Sequence, residues 1–145
     1  MSKENISRFV QMYDEYYTQV EKELRYGRKE SHWMWFIFPQ ITGLGRSSMA
    51  QFYAVKDIGE AKDFLKSSCG ERMRNLLQIV LELQNNIPES IFGIIDAAKL
   101  QSSMTLFAEA ASEDPIFNRV LDKFYSGLKD EKTLEILREQ QEKYL

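Results

Sequence analysis

The chain has 145 residues, 43% hydrophobic and 28% charged, which suits one domain that buries its own core without disulfides or a structural metal. Its 19 Lys and Arg against 22 Asp and Glu are interspersed and leave a net charge of -3, so there is no basic field to recruit duplex DNA. Cys69 is the single cysteine and His32 the single histidine, which excludes an intramolecular disulfide, argues against a zinc or iron centre and fits a reducing, cytoplasmic compartment.

The N-terminal stretch Met1–Phe9 is polar, with Lys3, Glu4 and Arg8, and has no apolar core of the signal-peptide kind. The longest apolar run, Trp33–Phe38, falls far short of the roughly 20 residues a membrane span needs. Neither a membrane nor DNA is expected as a partner, no cofactor is implied, and residues 1–145 read as one domain.

From Ile6 to Leu24 apolar residues recur at three- and four-residue steps, and Gly27 supplies a stop, which predicts a helix. Tyr13, Tyr16 and Tyr17 on its side read as phenols packing on the core. Arg28–Arg46 has no clean period: after a basic start come Ser31-His32-Trp33-Met34-Trp35-Phe36-Ile37-Phe38, then Pro39, Gly43 and Gly45. The block reads as a short helix capped by Ser31 and ended by Pro39, with a buried extended segment as the alternative.

Ser47 or Ser48 caps a short helix through Met49, Phe52, Tyr53 and Val55, and Asp57 with Glu60 forms a capping box for Ala61–Leu65. Met73–Leu83 is apolar enough to predict a central helix ending near Asn85-Asn86. Pro88–Phe92 makes one turn closed by Gly93, and Asp96 opens a helical stretch through Leu100, Met104, Phe107 and Ala111. Asp114 as N-cap with Pro115 at the first helical position begins a helix through Phe117, Leu121 and Tyr125. Asp130 caps the last helix, with Leu134 and Leu137 turned inward. The pattern predicts an all-α domain of about seven helices in orthogonal or irregular packing.

Three constellations could carry chemistry. The block around His32 gathers a side chain that titrates near neutrality and two indoles, Trp33 and Trp35, which can wall a base, a sugar or a nicotinamide; the competing reading makes them core anchors. Gly43-Leu44-Gly45-Arg46-Ser47-Ser48 precedes a helix, where freed backbone N–H groups and Arg46 could hold a phosphate, or simply form a turn with a serine cap. It lacks the Gly-Lys-Ser/Thr ending of a nucleotide P-loop. Asp96, Lys99 and Ser103 fall on one helical face, a polar stripe beside Leu100, Met104 and Phe107 that is either a pocket wall or a surface pair.

The wording of three segments carries a resemblance. Lys29-x-Ser-His-Trp-Met-Trp-Phe-Ile-Phe-Pro-Gln40, then Gly-Leu-Gly45-x-Ser47, and later Lys99-Leu-x-Ser-Ser-Met-Thr-Leu-Phe107 resemble the bacterial and fungal family known as domain of unknown function 1810. The likeness runs over nearly the whole chain. It implies a compact, mainly helical bacterial domain and marks as hallmarks polar positions that packing alone does not require: Lys29, Ser31, His32, Gln40, Ser47, Asp96, Lys99, Ser102, Ser103 and Thr105. Members tend to carry Pro before Asp96 and an acid after it, where this chain has Ile95, Ala97 and Ala98, so Asp96 is the one acidic candidate there.

The resulting expectation is a two-part pocket in which Lys29–Ser48 faces Asp96–Phe107. His32, Asp96 and Lys99 are the candidates for proton chemistry. Lys29, Ser31, Trp33, Trp35, Gln40, Gly45, Arg46, Ser47, Ser102, Ser103 and Thr105 are the candidates for ligand contact. The ligand expected is a small phosphorylated molecule, a nucleotide or an ADP-ribose derivative, bound by an enzyme or a binding domain. The alternative is a noncatalytic interaction module that presents Trp33, Trp35, Phe36 and Phe38 as an open aromatic patch.

Overall fold

The computed structural model describes residues 2–143. In chain order the helices are α1 (Ser2–Tyr26), α2 (Met34–Ile37), α3 (Ser48–Phe52), α4 (Ile58–Lys66), α5 (Ser68–Glu82), α6 (Pro88–Phe92), α7 (Ile94–Ala110), α8 (Ile116–Tyr125) and α9 (Glu131–Glu142). The all-α class read from the periodicity is the class the chain adopts, with nine helices among the described residues because the one-turn elements α2, α3 and α6 count separately. The only extended pairing among those residues is a lone parallel bridge between Ile41 and Val55.

Helix α1 ends in the pair of bonds that a glycine at positive φ permits. Gly27, at φ 83°, donates to the carbonyl of Leu24 at 3.0 Å, and Arg28 donates to that of Glu23 at 3.1 Å. Ser47 caps α3 by accepting from Ala50 N at 3.1 Å, and Asp57 caps α4 by accepting from Glu60 N at 2.9 Å. The capping box is altered, since the Glu60 carboxylate takes Lys56 N and Arg8 instead of the cap's own N–H.

Ser31 does not cap α2, because its hydroxyl is turned back to Glu23; Trp33 stands at the cap with no side-chain bond. Pro115 takes the cap position of α8, and Asp114 accepts from Ile116 N at 3.1 Å. On α9 the deeply buried residue is Thr133, while Ile136 and Leu137 lean on the core and Leu134 is half-exposed.

The apolar density of Met73–Leu83 predicts a central α5, which packs against α1, α4 and α8, and α7 shares the centre with it. Helix α7 touches α4, α6, α8 and α9 and buries nearly everything from Leu100 to Ala110. Its hydroxyls make that possible: Ser102 donates to Ala98 O at 3.2 Å and Thr105 to Gln101 O at 2.8 Å, so two polar side chains enter the core already bonded. Helix α5 keeps Glu71, Asn75 and Gln78 in solvent. A line of rings crosses the core, with Phe64 5.2 Å from both Phe9 and Phe107, and Phe117 5.8 Å beyond Phe107. Tyr13 is buried with its hydroxyl donating to Ile37 O at 2.6 Å, and Tyr16 rests on Phe36. Among the described residues no helix is long and apolar enough to cross a membrane.

Candidate functional site

The segment that follows α1 is organised by one carboxylate. Glu23 is buried, and its Oε1 accepts from Glu30 N at 2.7 Å, Ser31 N at 3.0 Å and Trp33 Nε1 at 2.9 Å. Its Oε2 accepts from Ser31 Oγ at 2.5 Å and Gln19 Nε2 at 2.8 Å. Burial pushes the Glu23 carboxyl up, but the bonds from Ser31, Gln19 and the two backbone N–H groups outweigh it and hold the group down at about 2. A carboxylate with five donors is a rigid peg, and the loop 28–33 is wound around it.

The wound loop delivers Lys29 to α7. Lys29 N donates to Ile91 O at 2.8 Å, its ammonium donates to Ser31 O at 2.6 Å and pairs with Asp96 Oδ2 at 2.9 Å, and it lies 5.0 Å over the ring of Trp33. The other oxygen of Asp96 is 3.7 Å from the ammonium of Lys99, which lies 5.3 Å over the ring of Trp35. The Trp35 ring faces that of His32 with centroids 6.5 Å apart and planes 28° apart. His32, Trp35, Asp96 and Lys99 thus share one half-exposed face, backed by the buried Lys29 and Trp33.

The two lysines differ in freedom. The Lys29 side chain is 8% exposed with its ammonium committed on three sides, whereas Lys99 is 24% exposed and held by a loose contact to Asp96 and by the Trp35 ring. Lys29 therefore fixes Asp96, and Lys99 is the cation able to turn toward an incoming anion. On the outward face the two ammonium groups exceed the one carboxylate of Asp96 beside the Trp35 indole, while the balancing Glu23 carboxylate lies behind Trp33 in the core.

The Trp/Phe-rich block divides. Trp33, Phe36 and Phe38 are buried, so no open aromatic patch forms from them; Trp35 is half-buried and His32 exposed. Three helical residues set this division, because Met34, Phe36 and Ile37 are the inward side of α2 and Trp35 is the outward one.

The expected single pocket also divides. Gly45, Arg46 and Ser47 are exposed, and no hydrogen bond or ion pair among the described residues joins them to Lys29, Asp96 or Lys99. Ser47 is occupied with its own cap, Arg46 O accepts from Gln51 Nε2, and a side chain at Gly43 would meet Ile136 of α9. Gln40 is half-buried, and its carbonyl accepts from Val55 N at 2.8 Å beside the lone bridge. Ser102, Ser103 and Thr105 are buried inside α7, with Thr105 also accepting from Asp130 N, and Ser103 Oγ has no hydrogen-bond partner among the described residues. A cleft of about 870 Å³ lined by Ile6, Val10, Asp14, Asp63 and Lys66 contains none of the clustered side chains.

Glu23 is the residue that sequence reasoning missed. The available signal is an acid placed on the buried side of α1 between Val20 and Leu24, just ahead of the Gly27 stop. Cys69, the other reactive side chain type, is buried, and burial pushes its thiol up to about 11, away from any nucleophilic role.

Residues 3–137 match the family whose description reads "Protein of unknown function (DUF1810)". The crystal structure of the conserved hypothetical protein Rv1873 from Mycobacterium tuberculosis is similar to this chain with a TM-score of 0.90 and 41% sequence identity, covering 92% of this chain and 96% of that one. Among curated proteins none matches.

Proposed function

The chain belongs to the family described as Protein of unknown function (DUF1810), a description that names no activity, and we propose from the site itself that it binds a small phosphorylated ligand carrying a flat ring, of the nucleotide or ADP-ribose type. The observation that carries this reading is the meeting of Trp35, His32 and Lys99 beside Asp96. An indole offers a stacking wall, Lys99 brings the surplus charge that a phosphate neutralises, and Asp96 is held in place from behind by Lys29. A chemical step at this face would use Asp96 or His32 as the proton acceptor, since these are the groups of the face able to play that part. The reading places the protein in the cytoplasm with neither DNA nor membrane as partner, which the free, buried Cys69 and the mixed surface charge support.

The test is a thermal-shift and calorimetric screen of nucleotides and sugar phosphates against the intact protein, repeated with Lys99→Met and Trp35→Phe. Nucleotides are expected to raise the melting temperature, and each substitution to weaken binding by about tenfold or more. The reading is wrong if nucleotides and sugar phosphates leave the melting temperature unchanged while other ligand classes raise it, or if both variants bind as well as the parent.

A further inference from the structure

We infer that Asp96 reads a hydroxyl on the sugar of this ligand, so that the site takes ribonucleoside phosphates in preference to their deoxy counterparts. The inference rests on the nucleotide reading above and adds the donor that Asp96 selects.

The two oxygens of Asp96 are unequally engaged. Oδ2 is 2.9 Å from the ammonium of Lys29, while Oδ1 is 3.7 Å from that of Lys99, outside hydrogen-bonding distance. Lys29 cannot leave, since it also donates to Ser31 O at 2.6 Å and is covered by Trp33, and Ser31 is in turn pinned by Glu23. A chain of contacts from Glu23 through Ser31 and Lys29 therefore aims Asp96, keeping Oδ2 in a close ion pair and leaving Oδ1 with the loose Lys99 contact and, among the described residues, no hydrogen-bond donor. A carboxylate oxygen only accepts, so what approaches it must be a donor; a phosphate or a base carbonyl would be repelled.

The arrangement of the face says where on the ligand that donor lies. Lys99 sits over the Trp35 ring on one side and next to Asp96 on the other, at 5.3 Å and 3.7 Å. With the base stacked on Trp35 and the phosphate drawing Lys99 away from Asp96, the group that joins base to phosphate crosses Oδ1. In a nucleotide that group is the pentose, and its 2′- and 3′-hydroxyls are the donors it offers. Lys99, one-quarter exposed on an unbranched stem, can make the turn that clears Oδ1.

The experiment is calorimetric titration of the unaltered protein with the four ribonucleoside 5′-monophosphates and with their 2′-deoxy and 3′-deoxy forms at one salt concentration, alongside Asp96→Asn. Removing the hydroxyl that Asp96 accepts from is expected to weaken binding by about tenfold or more, and Asp96→Asn to bind ribo and deoxy forms with affinities within about twofold of each other. Equal affinity for the ribo, 2′-deoxy and 3′-deoxy forms overturns the inference and leaves the nucleotide reading standing. Absence of binding by every nucleotide overturns both. The comparison on the unaltered protein decides the matter even if Asp96→Asn fails to fold.

Discussion

The carboxylate of Glu23 accepts from the indole nitrogen of Trp33 at 2.9 Å in the core, joining the last turn of α1 to the start of α2 across the loop that carries Lys29. With its carboxyl held at about 2 instead of the ordinary 4.5, Glu23 contributes stability that is complete above about pH 4.5 and disappears as pH falls toward 2. The span of that shift corresponds to about 3 kcal/mol. Urea unfolding followed from pH 7 down to pH 3 should show the loss setting in below about pH 4.5. Glu23→Gln, which removes the charge and offers one acceptor oxygen to several donors, should cost about 2 to 4 kcal/mol at neutral pH and flatten this part of the acid dependence. A variant as stable as the parent, with the same acid slope, would show that the five donors are satisfied elsewhere.

Helix positions and most caps were legible because they are local: a three-to-four-residue apolar step, Gly27, and Ser47, Asp57 and Asp130 at the expected starts. The centrality of α7 was not, since Ser102, Ser103 and Thr105 look polar in sequence, and only back-bonding within the helix makes the first and last cheap to bury. The site was half legible. The resemblance drew attention to Lys29 and Asp96 together, and they do pair, but contiguity along the chain also suggested Gly43–Ser48 as a neighbour of Asp96, and that loop folds toward α9 instead. Glu23 escaped because its donors come from a loop with no period, where nothing in the sequence announces that a helix acid will be surrounded by N–H groups.

The two lysines of the face should respond differently to removal of charge. Lys29→Met breaks a pair whose lysine is 8% exposed, leaving Asp96 without its close counter-ion and Ser31 O without its donor, which should cost about 2 to 3 kcal/mol. Lys99→Met breaks a 3.7 Å contact at the surface and should change stability by no more than about 0.5 kcal/mol. Denaturant midpoints of the two variants check the contrast. Equal losses would contradict the division into a fixed and a movable lysine.

Of the glycines, Gly70 has the closest backbone neighbour. A Cβ there would stand 2.0 Å from Leu65 O and 2.5 Å from Leu65 C, both backbone atoms of the preceding helix, at a corner where Ser67 ends α4 and caps α5. Backbone cannot move aside as a side chain can, so Gly70→Ala should destabilise by about 3 kcal/mol or more. Ser68→Ala, two residues away and exposed, should stay within about 0.5 kcal/mol. Thermal unfolding of the two proteins separates the steric effect from a general weakness of the corner.

The indoles give a direct readout of the face in the absence of any ligand. Trp33 is fully buried with its nitrogen bonded to Glu23, while Trp35 is half-buried beside Lys99 and His32. A collisional quencher should therefore reach Trp35 and spare Trp33, so that Trp35→Phe leaves a blue-shifted emission resistant to acrylamide. The surplus positive charge of Lys29 and Lys99 over Asp96 adds a sign to the expectation: iodide, drawn to the face, should quench Trp35 better than caesium does, and salt should narrow the difference. Lys99→Met should remove the preference for iodide while leaving acrylamide quenching in place, because it takes away the charge and not the exposure. A Trp35 that caesium quenches as well as iodide would mean that the face carries no surplus charge, and a phosphate would then have no reason to settle there.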